Sequence, residues 1–83
     1  MFYAVAVKAL IAEYNKNYTR GVKEELTEPH QNTSKEWVYS NDVTIEGKKI
    51  HAIGMSRDKA EAEDNMYRDL IFKTFRLLPH LKK

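Results

Sequence analysis

The stretch WVYSNDVTIEGKKIHAI, residues 37–53, decides how this chain folds. Trp37, Tyr39, Val43 and Ile45 alternate with other residues, a period of two that is typical of a strand with one buried face, although Asn41 interrupts it. Residues 46–49, Glu-Gly-Lys-Lys, supply a turn before the apolar segment 50–53. We therefore predict strands over about residues 37–45 and 50–53 that pair in antiparallel orientation.

A helix is predicted on each side of this hairpin. The second helix covers about residues 58–78, is capped by Ser56 or Asp58, and is stopped by Pro79. Its apolar stripe consists of Met66, Tyr67, Leu70, Ile71, Thr74, Phe75 and Leu78. Apolar residues also recur at helical spacing over residues 2–14, which predicts the first helix. Between the first helix and the hairpin, residues 22–27 form a short, charged candidate strand that ends before Pro29.

This order of elements predicts the α+β class. Each helix has one apolar face to bury, and the simplest arrangement is a three-stranded antiparallel sheet in α-β-β-β-α order with both helices packed on one face. The 83 residues are enough for one small core, so we predict a single domain over residues 1–83. A chain of this size leaves little room for a catalytic cleft.

Composition excludes several classes of site. The sequence has no cysteine, which rules out disulfides and thiolate metal ligands and is typical of a reducing compartment. Its three histidines, His30, His51 and His80, lie in separate segments without ligand spacing, so we expect no metal and no cofactor. No carboxylate lies in an apolar setting that would tune its pKa, and we expect a protein that is not an enzyme. No signal peptide or membrane span is predicted, so an intracellular location, in the cytoplasm or nucleus, is expected.

Four short motifs carry a family resemblance. They are Ile11-Ala12-Glu13-Tyr14, Glu28-Pro29-His30, the pair Trp37 and Gly47, and Ala52-Ile53-Gly54-Met55-Ser56. In this order and approximate spacing the chain resembles the double-stranded-RNA-binding domain family over nearly its whole length. The resemblance implies a non-catalytic module that binds duplex RNA through its shape and backbone, as part of an RNA-processing or RNA-silencing protein.

The resemblance also implies roles for individual residues. Such a protein approaches duplex RNA through the shallow minor groove, where the 2′-hydroxyls are exposed, and across the phosphates of the intervening major groove. Glu13 would accept a hydrogen bond from a 2′-hydroxyl, and the loop with Pro29 and His30 would enter the next minor groove. The start of the second helix would meet the phosphates through Ser56, Arg57 and Lys59.

A purely structural interpretation of these residues stays open. Glu13 is equally consistent with a solvent-facing helix residue, His30 with an ordinary loop residue, and Ser56 with a helix cap. Arg57 and Lys59 are consistent with a solvated, self-paired charged surface. The same holds for Trp37, which fits a core position as well as a platform for base stacking.

The chain departs from the family pattern in two places. The family has Lys-Lys-x-Ala-Lys after the serine, whereas residues 57–61 here read Arg-Asp-Lys-Ala-Glu. Residues 57–69 contain three basic and five acidic side chains, so we expect weakened binding to duplex RNA. The buried face of the second helix also fits the family only after a shift of two residues. We predict this shift, which buries Ala62, Met66, Tyr67, Leu70 and Ile71.

A second function remains open, a protein-protein interaction or dimerisation module with the same fold and weak or no RNA binding. Phe72 and Leu77 fall outside the buried stripe, and exposed apolar side chains commonly mark an interface. We predict a partner interface at Phe72, Phe75, Leu77 and Leu78. The expected partner is therefore duplex RNA, a second copy of the chain or another protein, and no membrane partner is expected.

Overall fold

The chain folds as two helices packed on an antiparallel sheet, as the α+β prediction requires. The computed structural model describes residues 2–82, so Met1 and Lys83 of the predicted domain lie outside the described part of the chain. The elements are α1 (Phe2–Asn17), β1 (Lys23–Leu26), β2 (His30–Gln31), β3 (Trp37–Ile45), β4 (Lys48–Ser56) and α2 (Lys59–Leu77), followed by a 3-10 helix at Pro79–Lys82. The prediction of an α+β fold is confirmed, with one strand more than expected.

The β3–β4 hairpin is the longest pairing in the sheet. Its strands pair from Trp37 with Ser56 through to Ile45 with Lys48. The turn contains only Glu46 and Gly47, whose φ angles of 50° and 77° belong to the tight two-residue turn that follows the twist of the sheet. β4 extends beyond the predicted 50–53 segment at both ends. The residues that the prediction missed have only one apolar side chain, that of Met55, and so give little apolar signal.

The extra strand arises from a bulge in the edge strand. β1 and β2 both pair with β3 on the side opposite β4. The N–H of Thr27 donates to the carbonyl of Ser40 at 3.0 Å, and the next pair is His30 with Val38. The edge strand therefore advances three residues, from Thr27 to His30, while β3 advances two, from Ser40 to Val38. One extra residue lies at positions 28–29. Proline is tolerated at such a position, and Pro29 separates β1, which lies within the predicted strand 22–27, from β2, which was not predicted.

α2 lies across β3 and β4 and buries its apolar stripe there. Ala62, Met66, Tyr67 and Leu70 are buried and Ile71 is half-buried against the core, which confirms the predicted buried face of this helix. At Gly54 the strand and helix backbones touch, because a Cβ there would overlap the backbone N of Met66 and the carbonyl O of Ala62. A residue without a side chain is required at this crossing.

α1 lies beside α2 and is held by two acidic side chains of that helix. The carboxylate of Asp64 accepts a hydrogen bond from the N–H of Ala4 at 2.8 Å. The carboxylate of Glu63 forms an ion pair with Lys8 at 3.1 Å. Ala4 and Val7 complete the core from this side. The first acidic residues of α2 thus position α1, a contact between two parts of the chain that are about sixty residues apart.

Side chains of α2 cover the outer edge of β4. Because β3 and β4 are joined by a two-residue turn, the odd-numbered residues of β4 direct their N–H and C=O groups away from β3. Each of three such residues has one backbone group bonded by α2: His51 C=O to Lys73 at 2.8 Å, Ile53 N–H to Asp69 at 3.0 Å and Met55 C=O to Asn65 at 3.2 Å. This edge is therefore protected against pairing with another chain.

Candidate nucleic-acid interface

The start of α2 is capped from within by Asp58, one of the two predicted caps. Its carboxylate accepts hydrogen bonds from the N–H groups of Ala60 at 2.9 Å and Glu61 at 3.3 Å. The Ser56 hydroxyl accepts from the Asp58 N–H at 3.2 Å and donates to the Glu61 carboxylate at 2.6 Å. Because a carboxylate already occupies the first-turn N–H groups, a phosphate placed at this helix end would meet negative charge.

Two cations remain available beside this capped helix end. Arg57 and Lys59 are both exposed. The Lys59 ammonium lies 4.8 Å from the ring centroid of the half-buried Trp37, which is a cation-π distance. Within residues 2–82, Arg57 forms no ion pair. Phosphate contacts at this place would therefore come from two long side chains and not from the helix backbone.

All five acidic side chains in residues 57–69 have partners within the fold. Asp58 and Glu61 bind groups at the helix start, as described above. Glu63 and Asp64 hold α1. Asp69 accepts from the edge of β4 and pairs with Lys73 at 2.9 Å. The capping role of Asp58 was predicted from the sequence, whereas the partners of the other four acidic side chains were not.

The segment 27–36 is ordered by the bulge and by a turn around Asn32. The Asn32 carboxamide oxygen accepts from the N–H groups of Ser34 at 2.9 Å and Glu36 at 3.0 Å. Pro29 is half-buried, whereas His30 is exposed. His30 pairs with Val38, so its side chain lies on the face of the sheet away from the helices. This segment and the start of α2 meet at the same end of the sheet, because β2 and Ser56 both pair at the beginning of β3.

Glu13 lies toward the other end of the molecule. It is exposed on α1, and its carboxylate accepts a hydrogen bond from Asn17 at 3.1 Å. The hydroxyl of the neighbouring Tyr14 donates to Glu46, in the β3–β4 turn, at 2.8 Å. A nine-residue strand separates that turn from Ser56, a distance of about 30 Å. The predicted contacts are therefore spread along the molecule and do not form one compact site.

A buried polar cluster was missed by sequence reasoning. The Glu24 carboxylate accepts from the Asn41 amide at 2.9 Å and from the Tyr67 hydroxyl at 3.2 Å. Asn41 is fully buried, and its side-chain oxygen has no hydrogen-bond partner in the described part of the chain. The signal in the sequence was the interruption of the period-two pattern at Asn41. The cluster ties the edge strand β1 to β3 and α2.

Three tyrosines have raised pKa values, each mainly because of burial. For Tyr67, burial and the Glu24 carboxylate raise the pKa. For Tyr39, burial and Glu63 raise the pKa, partly offset by Lys8. For Tyr14, burial and the hydrogen bond to Glu46 raise the pKa to about 12. Each of the three pKa values is therefore raised further above neutral pH, where a general acid or base would need to titrate.

The predicted partner interface is only partly exposed. Phe72 and Leu77 are exposed, and the Phe72 ring meets Tyr3 edge to face at 6.0 Å. Phe75 is half-buried and lines an apolar cavity of about 140 Å³ between the helices and the sheet. Leu78 is buried in the core, as its place in the predicted apolar stripe requires, so it offers no exposed surface to a partner. It lies one turn beyond Thr74, where the core continues past the end of α2.

The outward face of α1 is also apolar, which the sequence reasoning did not use. Phe2 is 86% exposed and Val5 is 69% exposed. Leu10 is about half exposed, at the mouth of the apolar cavity. A helix that is apolar on both sides commonly has a second partner.

Neither a metal site nor a membrane span is found in the described residues. No three histidine or acidic side chains of residues 2–82 lie close enough together to hold a metal ion. Across the same residues, no helix combines the length and the apolar character needed to cross a bilayer.

Neither the protein-family models nor the curated proteins contain a match to this sequence. Any proposal about function must therefore stand on the residues and the geometry of this chain.

Proposed function

We propose that this chain is a divergent double-stranded-RNA-binding domain, a non-catalytic module that binds duplex RNA through its backbone. The observation that supports this most is the placement of the exposed polar residues. Arg57 and Lys59 lie at the same end of the sheet as His30, and Glu13 lies toward the other end. Contacts spread in this way suit a ligand whose two minor grooves flank a row of phosphates.

The cations at the start of α2 act as side chains in this proposal. Asp58 occupies the helix N–H groups, so Arg57 and Lys59 reach phosphate oxygens from beside the cap. Within residues 2–82, only two of the neighbouring carboxylates are in ion pairs, Glu63 with Lys8 and Asp69 with Lys73, so the others still repel the RNA. With so few phosphate contacts, binding is weak, and its dependence on salt has a slope of only about 2.

The test is a titration with an RNA duplex of about 20 base pairs, long enough for the contacts of one such domain. We measure the dissociation constant at about 50 mM and 200 mM salt. The double change Arg57→Ala with Lys59→Ala is expected to weaken binding for any duplex sequence and to lower the salt slope by about 2.

A matched control removes two cations elsewhere on α2. Arg68 and Arg76 are exposed, so Arg68→Ala with Arg76→Ala makes the same change in net charge away from the proposed contacts. This control is expected to bind nearly as the native chain does. Equal losses in the two double variants would indicate unspecific attraction, and no binding at low salt would overturn the proposal.

Glu13 and Asp58 test the two ends of the proposed contact surface. Glu13→Ala is expected to reduce the preference for duplex RNA over duplex DNA of the same sequence, because only RNA has the 2′-hydroxyl. Asp58→Asn keeps a capping side chain but removes its charge, so RNA binding should tighten severalfold at low salt. Unchanged binding in both variants would contradict the assigned contacts.

A second candidate function, protein-protein interaction or dimerisation, is favoured by the exposed apolar side chains. Phe2, Val5 and Phe72 are all more than half exposed. If these residues hold an assembly together, the native chain has a mass above that of a monomer, and Val5→Asp or Phe72→Asp returns it to the monomer without unfolding. A monomeric native chain at high concentration would rule out a homodimer.

A further inference from the structure

Two residues of β1, Glu24 and Leu26, direct their backbone N–H and C=O groups toward solvent. Thr27 and Ser40 are directly opposite each other and hydrogen-bonded. Residues of an antiparallel strand alternate between inward and outward backbone groups, so Lys23 and Glu25 also bond to β3. The N–H and C=O groups of Glu24 and Leu26 therefore face away from the sheet. Within residues 2–82, no hydrogen bond reaches these four outward groups.

This open edge has a defined length. Just before β1, the Asn15 side chain of α1 binds both backbone groups of Val22, the next residue that faces away from β3. The Asn15 oxygen accepts from the N–H of Val22, and the Asn15 amide donates to the Val22 carbonyl at 3.5 Å. At its other end, the bulge at residues 28–29 includes Pro29, which has no N–H to donate. The edge between Asn15 and Pro29 has room for one short extended segment.

The side chains on this edge are acidic and apolar. Residues 23–28 contain Glu24, Glu25 and Glu28 against Lys23 alone, a net charge of −2. All four residues of β1 are exposed, including Leu26, at 55%. An added strand places its side chains opposite those of β1 and on the same faces. A basic residue would therefore lie opposite Glu25, and an apolar residue would lie opposite Leu26.

We propose that the outer edge of β1 binds an extended segment of a partner protein by strand addition, and that this segment alternates basic and apolar residues. The main chain of Glu24 and Leu26 supplies up to four hydrogen bonds, and the Glu25 carboxylate selects the charge of the segment. The opposite edge of the sheet is less suited to this role because Asn65, Asp69 and Lys73 occupy one backbone group of each of three outward residues. With so few bonds, the dissociation constant is expected between about 10 μM and 1 mM.

The experiment uses the full chain and the peptide acetyl-Lys-Val-Lys-Val-Lys-Val-amide. The peptide is titrated into the ¹⁵N-labelled protein, and backbone amide shifts and hydrogen exchange are measured by NMR. We expect saturable shifts at Glu24 and Leu26 and exchange of these two amides slowed about tenfold at saturation. A peptide with Glu in place of Lys is expected to bind at least about fivefold more weakly.

A pair of variants at one position separates the backbone from the side chain. Leu26→Pro removes the outward N–H while the β1–β3 hydrogen bonds, which use neighbouring residues, remain. It should weaken binding at least about tenfold, whereas Leu26→Ala keeps the N–H and should stay within about threefold of the native chain. Glu25→Lys should weaken binding about fivefold, with a larger effect at low salt.

Three results would overturn the proposal. They are no saturable binding up to millimolar peptide, unchanged affinity in a folded Leu26→Pro variant, and shifts confined to β4 or the helices. Equal affinity for the Glu-containing peptide would overturn the assigned charge of the partner. Because no RNA is present in this experiment, its outcome is independent of the duplex-binding proposal.

Discussion

The two outer edges of the sheet present the same kind of backbone, but α2 lies along one edge and not along the other. On β4, one backbone group of each of three outward residues bonds to an α2 side chain. On β1, Asn15 of α1 reaches only the residue just before the strand. α2 packs mainly on β4, so the strand that carries most of this helix is also the edge protected from pairing with another chain. We call β4 and α2 the closed side of the fold and β1 the open side. The open side contributes less packing and is therefore free to bind a partner without loss of the fold.

The largest expected effect concerns the place where α2 touches β4. Gly54→Ala puts a Cβ against backbone atoms of Met66 and Ala62, which cannot move aside as a flexible side chain would. We expect a loss of about 3 kcal/mol or more in the free energy of unfolding, a large part of the stability of a domain this small. Urea denaturation measures it.

Gly47→Ala is the matched control for this change. Its added Cβ meets no atom within 4 Å, but the φ angle of 77° is unfavourable for alanine. A cost of about 1 kcal/mol is expected from this backbone conformation alone. If both variants lose the same stability, the close approach of α2 to β4 is not what requires the glycine at position 54.

A pair of proline substitutions compares the two edges directly. Ile53→Pro and Leu26→Pro each remove an outward N–H, but that of Ile53 donates to Asp69 at 3.0 Å. Ile53→Pro should therefore cost about 1 to 3 kcal/mol more than Leu26→Pro, whose own cost should stay below about 1 kcal/mol. Both values come from denaturation at neutral pH. Equal costs would mean that the cover on β4 adds no stability.

The next effect concerns the cap that sets where α2 begins on the closed side. Asp58→Ala removes the acceptor for the N–H groups of Ala60 and Glu61 and should cost about 1 kcal/mol. Asp58→Asn should retain most of that stability. The melting temperatures of the two variants, measured in the same buffer, are expected to differ in this order. Equal losses in the two variants would show that the charge of Asp58, which both changes remove, and not its capping geometry is what stabilises the helix.

The smallest expected effect concerns Tyr14 of α1, whose hydroxyl donates to Glu46 in the β3–β4 turn. The folded pKa of Tyr14 is about 12, above its ordinary value of 10.0, so the folded chain keeps this proton where the unfolded chain loses it. The stability from this group is therefore complete below pH 10 and is lost as the pH rises toward 12. The native chain should lose more stability between pH 9 and 11 than Tyr14→Phe, a difference that Tm measurements detect. Tyr3→Phe is the control and should follow the native chain.

Local sequence patterns were sufficient to predict much of the closed side. The period of 3.6 in α2 placed Met66, Tyr67, Leu70 and Thr74 on its buried face. The period of two predicted β3 at its observed bounds. Both predictions succeed because a regular element presents one face to the core, and the spacing of its apolar residues records that face.

The candidate sites were predicted less completely. Glu13, His30, Arg57 and Lys59 are exposed, as a contact surface requires, but their assignment to RNA contacts remains a prediction. The open edge at Glu24 and Leu26 was not foreseen, because it depends on which backbone groups β3 uses. The hydrogen bond from Thr27 to Ser40 decides that, and no side-chain pattern records it.

The sequence by itself determined the two helices, the hairpin and the buried stripe of α2, because these follow from apolar spacing and turn residues within short segments. Only the tertiary structure decided what the acidic residues do. In the sequence, Asp64 and Asp69 look like free charges beside a basic motif, whereas in the fold they bond to Ala4 and Ile53. The physical reason is that a carboxylate on a helix bonds to whichever donor packing brings near, and these donors lie on other elements of the fold.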